Sequence, residues 1–394
     1  MNATGAEPEK TARALVLQPL AAAELPEAVR KLLASPAPMR TMAAKGIAPL
    51  RPTELALAIY QLSFDAEAVV SQAARAGAGG LPDKVVAPAL AEPLPGPVLH
   101  FFAQALLPER KEALEKVLYN RATLDETFVL LAGRLREPEL EVIFQNETRL
   151  LRCPAILEVL YENPEARMSS INRAIELCVR HGVRVEGIPA FDEVAKAIKD
   201  DPDSITASAD AAFGGLLSVE LEGETSEIAA GTEPAAADST PEATAAKDGK
   251  AEGKSKRKSP IIDFSRLKLY EKIRLATLGN AYCRQNLMRD PNRMVAMAAI
   301  RSPRITDSEI VAASGNKGMS EDVIRYIASQ RDLTKTYQVK LNLVQNPKCP
   351  VALSLKFLPL LHTDDIKKIA RSKNVPGALA TGARRLMAAR AAKN

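Results

Sequence analysis

From Ile300 to Pro376 the chain alternates apolar stretches with short polar interruptions, and one pattern recurs. An apolar stretch runs into a turn of Ser or Asn with a cation, then Thr, Ser or Pro, then another apolar stretch. The copies are Ile300 to Thr306, Ala313 to Ser320, Ala328 to Thr334, Val344 to Pro350 and Ala370 to Pro376, and their closing residues lie 14, 14, 16 and 26 apart. Asn, Ser and Gly tolerate the geometry that ends a helix, Thr or Ser caps the next, and Pro suits its first turn. Thr306 with Glu309 forms a capping box. Val323, Ile324, Ile327 and Ala328 fall on one face at helical spacing.

The first half carries a looser version. Tyr119 to Thr123 opens a capping box of Thr123 with Glu126, and Gln145 to Thr148 and Glu162 to Glu165 follow. Asn120, Asn146 and Asn163 are 26 and 17 apart; Ser329, Asn346 and Ser372 are 17 and 26 apart. Ala34 to Pro38 and Gly46 to Pro52 are further turns. Short helices joined by near-periodic turns predict an all-α fold of α-solenoid-like repeats, in which stacking is needed because one hairpin cannot bury its apolar face alone.

The repeats divide into two modules, an acidic one over residues 11–210 and a basic one over 259–394, with a flexible stretch at 1–10. Between them, 211–258 is a linker. Its composition from about residue 222 onward, with almost nothing large and apolar, predicts disorder because too little surface can be buried to offset ordering entropy. Before that lies an apolar island, 213–221, with Phe213, Leu216, Leu217, Val219 and Leu221. It reads as a docking peptide, a short strand or the tail of the preceding module.

The turns, best at Asn346-Pro347-Lys348-Cys349-Pro350 and at Asn163-Pro164, resemble those of leucine-rich-repeat-variant and HEAT-like helical repeats. The segment from Glu271 to Asn280, running on to Arg289–Arg293, also resembles a helical module of uncharacterised bacterial proteins. These resemblances imply a repeat scaffold and bring no active site.

Composition sharpens the picture. Aromatic content is 4% with no Trp, so Ala, Leu, Ile and Val must build the core, and Ala and Leu favour helices. Cys153, Cys178, Cys283 and Cys349 have no CxxC spacing, so reduced thiols and a cytoplasmic location are expected. The opening MNATGAEPEK has acidic residues and no apolar run, so no secretory signal is expected, and no apolar run is long enough to span a membrane. The net charge of +5 conceals an asymmetry: from Pro260 onward 24 Lys and Arg stand against 10 Asp and Glu, and Lys254, Lys256, Arg257 and Lys258 add to that excess. Such a half suits an anionic partner or attracts the acidic half.

Catalytic signatures are missing. The three histidines, His100, His181 and His362, have no second ligand at metal spacing, and no GxSxG or phosphate-binding loop occurs. Gly77 to Gly80 reads as a loop, and the pair Asp364-Asp365 as the acidic start of a helix. Neither a cofactor nor a metal is expected. The turn cations Arg301, Arg304, Lys317, Arg331, Lys348 and Lys373 could face an anionic partner, with Arg284, Arg289 and Arg293 nearby. They could equally sit near helix C-termini, where cations favour the dipole, and consecutive turns of a stack fall on opposite edges. The expected function is a non-catalytic scaffold or adaptor holding a protein partner. The alternative is nucleic-acid binding by the basic half. A third reading, resembling HEAT-like DNA glycosylases, needs an aromatic-lined cleft that a chain without Trp is poorly equipped to build.

Overall fold

The computed structural model describes residues 15–107, 110–206, 210, 213, 264, 266–372 and 375–391. The expected tail at 1–10 and disordered stretch at 222–258 lie outside them. Among the described residues every regular element is helical. The first thirteen α-helices are α1 (Glu27–Leu33), α2 (Ala37–Ala44), α3 (Pro52–Leu62), α4 (Ala68–Gly80), α5 (Asp83–Ala91), α6 (Gly96–Leu106), α7 (Lys111–Tyr119), α8 (Asp125–Ala132), α9 (Glu139–Gln145), α10 (Glu147–Arg152), α11 (Ala155–Glu162), α12 (Met168–Arg180) and α13 (Phe191–Lys199). The remainder are α14 (Leu269–Leu278), α15 (Ala281–Leu287), α16 (Arg293–Ile300), α17 (Asp307–Gly315), α18 (Glu321–Ser329), α19 (Tyr337–Gln345), α20 (Val351–Phe357), α21 (Thr363–Arg371) and α22 (Gly377–Ala391).

The chain forms two compact units. The first runs to Asp210 and includes Asn292–Arg304, hence α16; the second holds Ala211–Pro291 and the chain from Ile305.

In the first unit each helix from α1 to α7 packs on the next but one. The series α1, α3, α5, α7, α9 forms one row and α2, α4, α6, α8, α11 the other. Helix α10 is an extra helix that makes the second row skip from α8 to α11. Helix α3 is deeply enclosed: Leu55 through Tyr60 and Leu62 are all buried. It starts on Pro52, whose fixed φ suits a first turn. The segment before α1 is pinned to it: Tyr60 Oη donates to the Gln18 carbonyl at 2.6 Å, and Leu20 N donates to Gln61 Oε1 at 3.0 Å. Tyr60 also meets Phe101 edge to face at 5.5 Å.

The second unit repeats the rule, with contacts α15 to α17, α17 to α19, α18 to α20 and α20 to α22. Its last core gathers Val344, Leu358, Leu361, Ile366, Ile369 and Ala383. Val323, Ile324, Ile327 and Ala328 are all buried, as their spacing requires.

Three local expectations are corrected. Gly77 to Gly80 is not a loop but the end of α4. A Cβ on Gly77 would lie 2.0 Å from the Ala44 carbonyl oxygen, so the glycine lets α4 cross α2 at close range. Thr123 does not cap α8, whose N-cap is Leu124; its hydroxyl donates back to the Val117 carbonyl at 2.6 Å. In contrast, Thr306 and Glu309 form the expected capping box on α17, and Ser320 Oγ accepts from Val323 N at 3.3 Å on α18. The next copy caps differently: Thr334 Oγ1 donates to the Gln330 and Arg331 carbonyls, both at 3.2 Å, and α19 starts after Thr336.

Candidate functional site

The turns are where polar chemistry concentrates, and most of it faces inward. Asn120, Asn163 and Asn346 each close a helix, and each is buried. Their side-chain amides donate to carbonyls of an earlier turn: Asn120 to Leu90 and Glu92 (both 2.8 Å), Asn163 to Ala132 and Leu135 (2.7 and 3.0 Å), Asn346 to Ser314 and Asn316 (2.9 and 3.4 Å). Each Oδ1 accepts from the backbone N–H two residues on, at Ala122, Glu165 and Lys348. One side chain thus shapes its own turn and satisfies the carbonyls that end an earlier helix. Asn146 acts differently, since its Oδ1 caps α10 by accepting from Arg149 N at 3.3 Å.

Several cations also bind carbonyls across the stack. Arg110 donates to the Gly79 and Leu81 carbonyls at 3.1 and 2.7 Å, and Arg390 to those of Pro359 and Leu361 at 2.7 and 3.1 Å. Arg149 donates to the Thr123 carbonyl at 2.7 Å and to Asp125 at 2.8 Å, with its guanidinium 4.1 Å from the Phe128 ring centre. Lys348, read from sequence as facing a partner, extends its Nζ to the Met319 carbonyl at 2.5 Å, so that ammonium serves the stack. Arg284 is no surface cation either. It is buried and grips both Glu309 oxygens at 2.9 and 3.0 Å. Burial raises the Glu309 carboxyl, but hydrogen bonds from Arg284 and from Thr306 outweigh it and hold the carboxyl below its ordinary range.

The remaining turn cations do not form one set. Arg301 and Arg304 are exposed and belong to the first unit, while Lys317 and Arg331 are exposed in the second. Lys373 lies outside the described residues. The reach of Asn346 and Lys348 to residues 314–319 skips the turn that carries Arg331, which puts Lys317 and Lys348 on stacked turns.

Phe213 is not a free anchor for an outside partner. It is 3% exposed, and the Arg274 guanidinium lies 4.8 Å from its ring centre within the second unit. Such a contact is a cation–π pair that offsets part of the cost of burying a charge. Leu216, Leu217, Val219 and Leu221 lie outside the described residues. Three residues before Phe213, the Asp210 carboxylate accepts from Ser169 N and Oγ, both at 2.7 Å, in the first unit.

The histidines and cysteines hold core or surface positions. His100 is buried, with Nδ1 2.9 Å from Thr127 Oγ1 and Nε2 3.0 Å from Gln104 Nε2. Burial pushes its imidazole below the usual range, against the opposing pull of Glu126. Burial likewise pushes the Cys178 thiol up to about 11. None of the four cysteines is joined in a disulfide. Asp364 and Asp365 do open α21, and Asp365 accepts from Tyr337 Oη at 2.6 Å, which lowers its carboxyl. Among the described residues no group of three or more His, Cys, Asp or Glu could hold a metal, and no helix is long and apolar enough to cross a membrane.

Two surface depressions lie on these helices. One of about 270 Å³ in the first unit lies among α9, α10 and α12 and mixes Glu141, Glu147, Ser170 and Arg173 with Phe144 and Leu177. The other, about 450 Å³ in the second unit, lies between α21 and α22 and is bordered by Lys367, Ala370, Arg371, Arg384, Met387 and Ala388.

Comparison with protein-family models, curated proteins and solved structures finds no match. The resemblance to leucine-rich-repeat-variant and HEAT-like repeats therefore rests on the turns themselves.

Proposed function

We propose that the chain is a non-catalytic scaffold or adaptor that holds a protein partner on the surface of stacked helix pairs, in the manner of an α-solenoid. One observation supports this best: the same inward amide device recurs at Asn120, Asn163 and Asn346, each donating to carbonyls 28 to 32 residues upstream. Polar side chains at the turns are committed to spacing one helix pair on another. A stack with fixed spacing presents an extended, preformed surface, the feature by which helical repeats bind proteins.

The competing reading, a polyanion on the basic half, draws on the exposed Lys317 and Arg331. Full-length chain titrated with duplex and single-stranded DNA separates the two. At ~150 mM salt, where the Debye length is ~8 Å, scattered turn cations should bind DNA feebly. Submicromolar binding that weakens steeply with salt and disappears in Lys317→Glu, Arg331→Glu would replace the protein-scaffold reading. Cross-linking in cells, followed by reconstitution with the purified captured protein, should instead yield a direct complex.

A further inference from the structure

We propose that the groove between α21 and α22 receives an acidic peptide segment carrying a bulky aliphatic side chain. This rests on the protein-scaffold reading and names the chemistry of one partner.

The groove has an apolar floor and a cationic border. Ala370, Met387 and Ala388 supply the floor, and Met387 also packs on the core formed by Val344, Leu361 and Ile369. Lys367 and Arg371 are four apart on α21, so they share a face, and Arg384 rises from α22 opposite. Among the described residues no carboxylate borders the groove. The acids of the surrounding helices are Asp364 and Asp365, which engage Lys367, Lys368 and Tyr337; α20 and α22 contain none. Among the described residues Arg371 and Arg384 have no acidic partner.

Structural roles account for only part of this. Arg371 sits in the last turn of α21, where a cation complements the dipole, and Lys367 lies 3.2 Å from Asp364. Arg384 is in mid-helix and has neither explanation. Contrast Arg390 on the same helix, whose guanidinium is taken up by the Pro359 and Leu361 carbonyls. Helix α22 thus uses one arginine to dock and leaves another beside an apolar hollow.

A hollow of about 450 Å³ has room for one or two large side chains. Its occupant must bring an apolar body for the floor and carboxylates for the border. An acidic peptide with an embedded Leu or Ile meets both demands. Nucleic acid fits less well, because among the described residues no aromatic side chain borders the groove to stack a base. A lipid surface fits less well because the apolar floor is small, made by Ala370, Met387 and Ala388 alone among the described lining residues.

The test uses full-length protein and a fluorescein-labelled synthetic peptide with one Leu flanked by Glu on both sides, read by fluorescence anisotropy at ~150 mM salt. Saturable binding is expected. It should weaken about tenfold or more in Arg371→Glu, Arg384→Glu, by a similar factor when the peptide Leu is replaced by Ser, and not at all in Lys317→Glu. Arg384→Gln, the mildest change, should weaken it too, and serves if the double variant loses its helical circular dichroism. Absence of binding, equal binding of the Ser peptide, or full binding by a folded Arg384→Gln protein overturns the proposal. So does tighter binding of duplex DNA or phosphatidylserine vesicles that the same variants abolish. A protein partner whose complex survives the Arg371 and Arg384 changes would overturn the groove assignment and leave the scaffold reading standing.

Discussion

The side-chain amide of Asn346 donates to the carbonyl of Ser314, 2.9 Å away and 32 residues upstream, and both residues are buried. Replacing Asn346 by Asp keeps the Oδ1 acceptor for Lys348 N and removes the donor. It also turns a carboxylate toward two carbonyl oxygens. A buried acceptor left without a partner costs roughly 1–3 kcal/mol. Asn346→Asp should therefore destabilise by about 2–3 kcal/mol in denaturant unfolding, and Asn163→Asp similarly. A loss below about 0.5 kcal/mol at both sites would mean that the amides do not hold the turns together.

Gly77 and Gly80 make a matched pair. Both are in α4, yet a Cβ at Gly77 meets the Ala44 oxygen at 2.0 Å and one at Gly80 meets nothing within 4 Å. Gly77→Ala must push α4 from α2 and should cost more than about 2 kcal/mol, whereas Gly80→Ala should be neutral or add up to about 1 kcal/mol. Equal melting temperatures for the two variants would disprove the close crossing.

Arg284 and Glu309 should behave as a unit. Arg284→Met leaves a buried carboxylate without its guanidinium and should cost about 3–5 kcal/mol, and adding Glu309→Gln should recover part of that loss. Because the Glu309 carboxyl is lowered in the fold, its contribution is present above the unfolded range near 4.5 and disappears as pH falls through the folded value. Acid unfolding of Glu309→Gln should accordingly be less steep; an unchanged pH profile would contradict this.

His100 titrates the other way from an ion-paired histidine. Its imidazole is lowered in the fold, so the unfolded chain takes up the proton first. Stability should be full above the ordinary value of 6.5, fall as pH drops below it, and level off beneath the folded value. Melting temperatures of the wild type and His100→Gln should differ in slope between about pH 7 and 5; parallel curves would show that His100 does not contribute.

The helix boundaries of the second half are legible in the sequence because Thr306, Ser320, Asn346 and Pro350 announce them with capping chemistry. The break between α20 and α21 is not, since Phe357 to Leu361 reads as one apolar run interrupted only by Pro359. That hidden break explains why the spacing from Pro350 to Pro376 is nearly double the others. At Gly77 the difference has another origin. Glycine signals a loop from composition, but only a neighbouring helix reveals that the missing Cβ makes room for backbone. Cation roles are the least legible. Arg284 and Arg384 both stand inside helices, and only the fold buries one against Glu309 and leaves the other beside the groove.

The buried asparagines also constrain how such a protein can change its length. Each amide reaches back about thirty residues to an earlier turn, so adding or losing a single helix in the middle would aim it at the wrong carbonyls, whereas gaining or losing a whole pair would preserve every bond. Helix α10 adds no length to such a span: Asn163 reaches past α9, α10 and α11 to Ala132 and Leu135 in 28 to 31 residues, the reach that Asn120 and Asn346 make past two helices. What the amides fix is therefore the length of chain between turns, about thirty residues, rather than the number of helices that fill it.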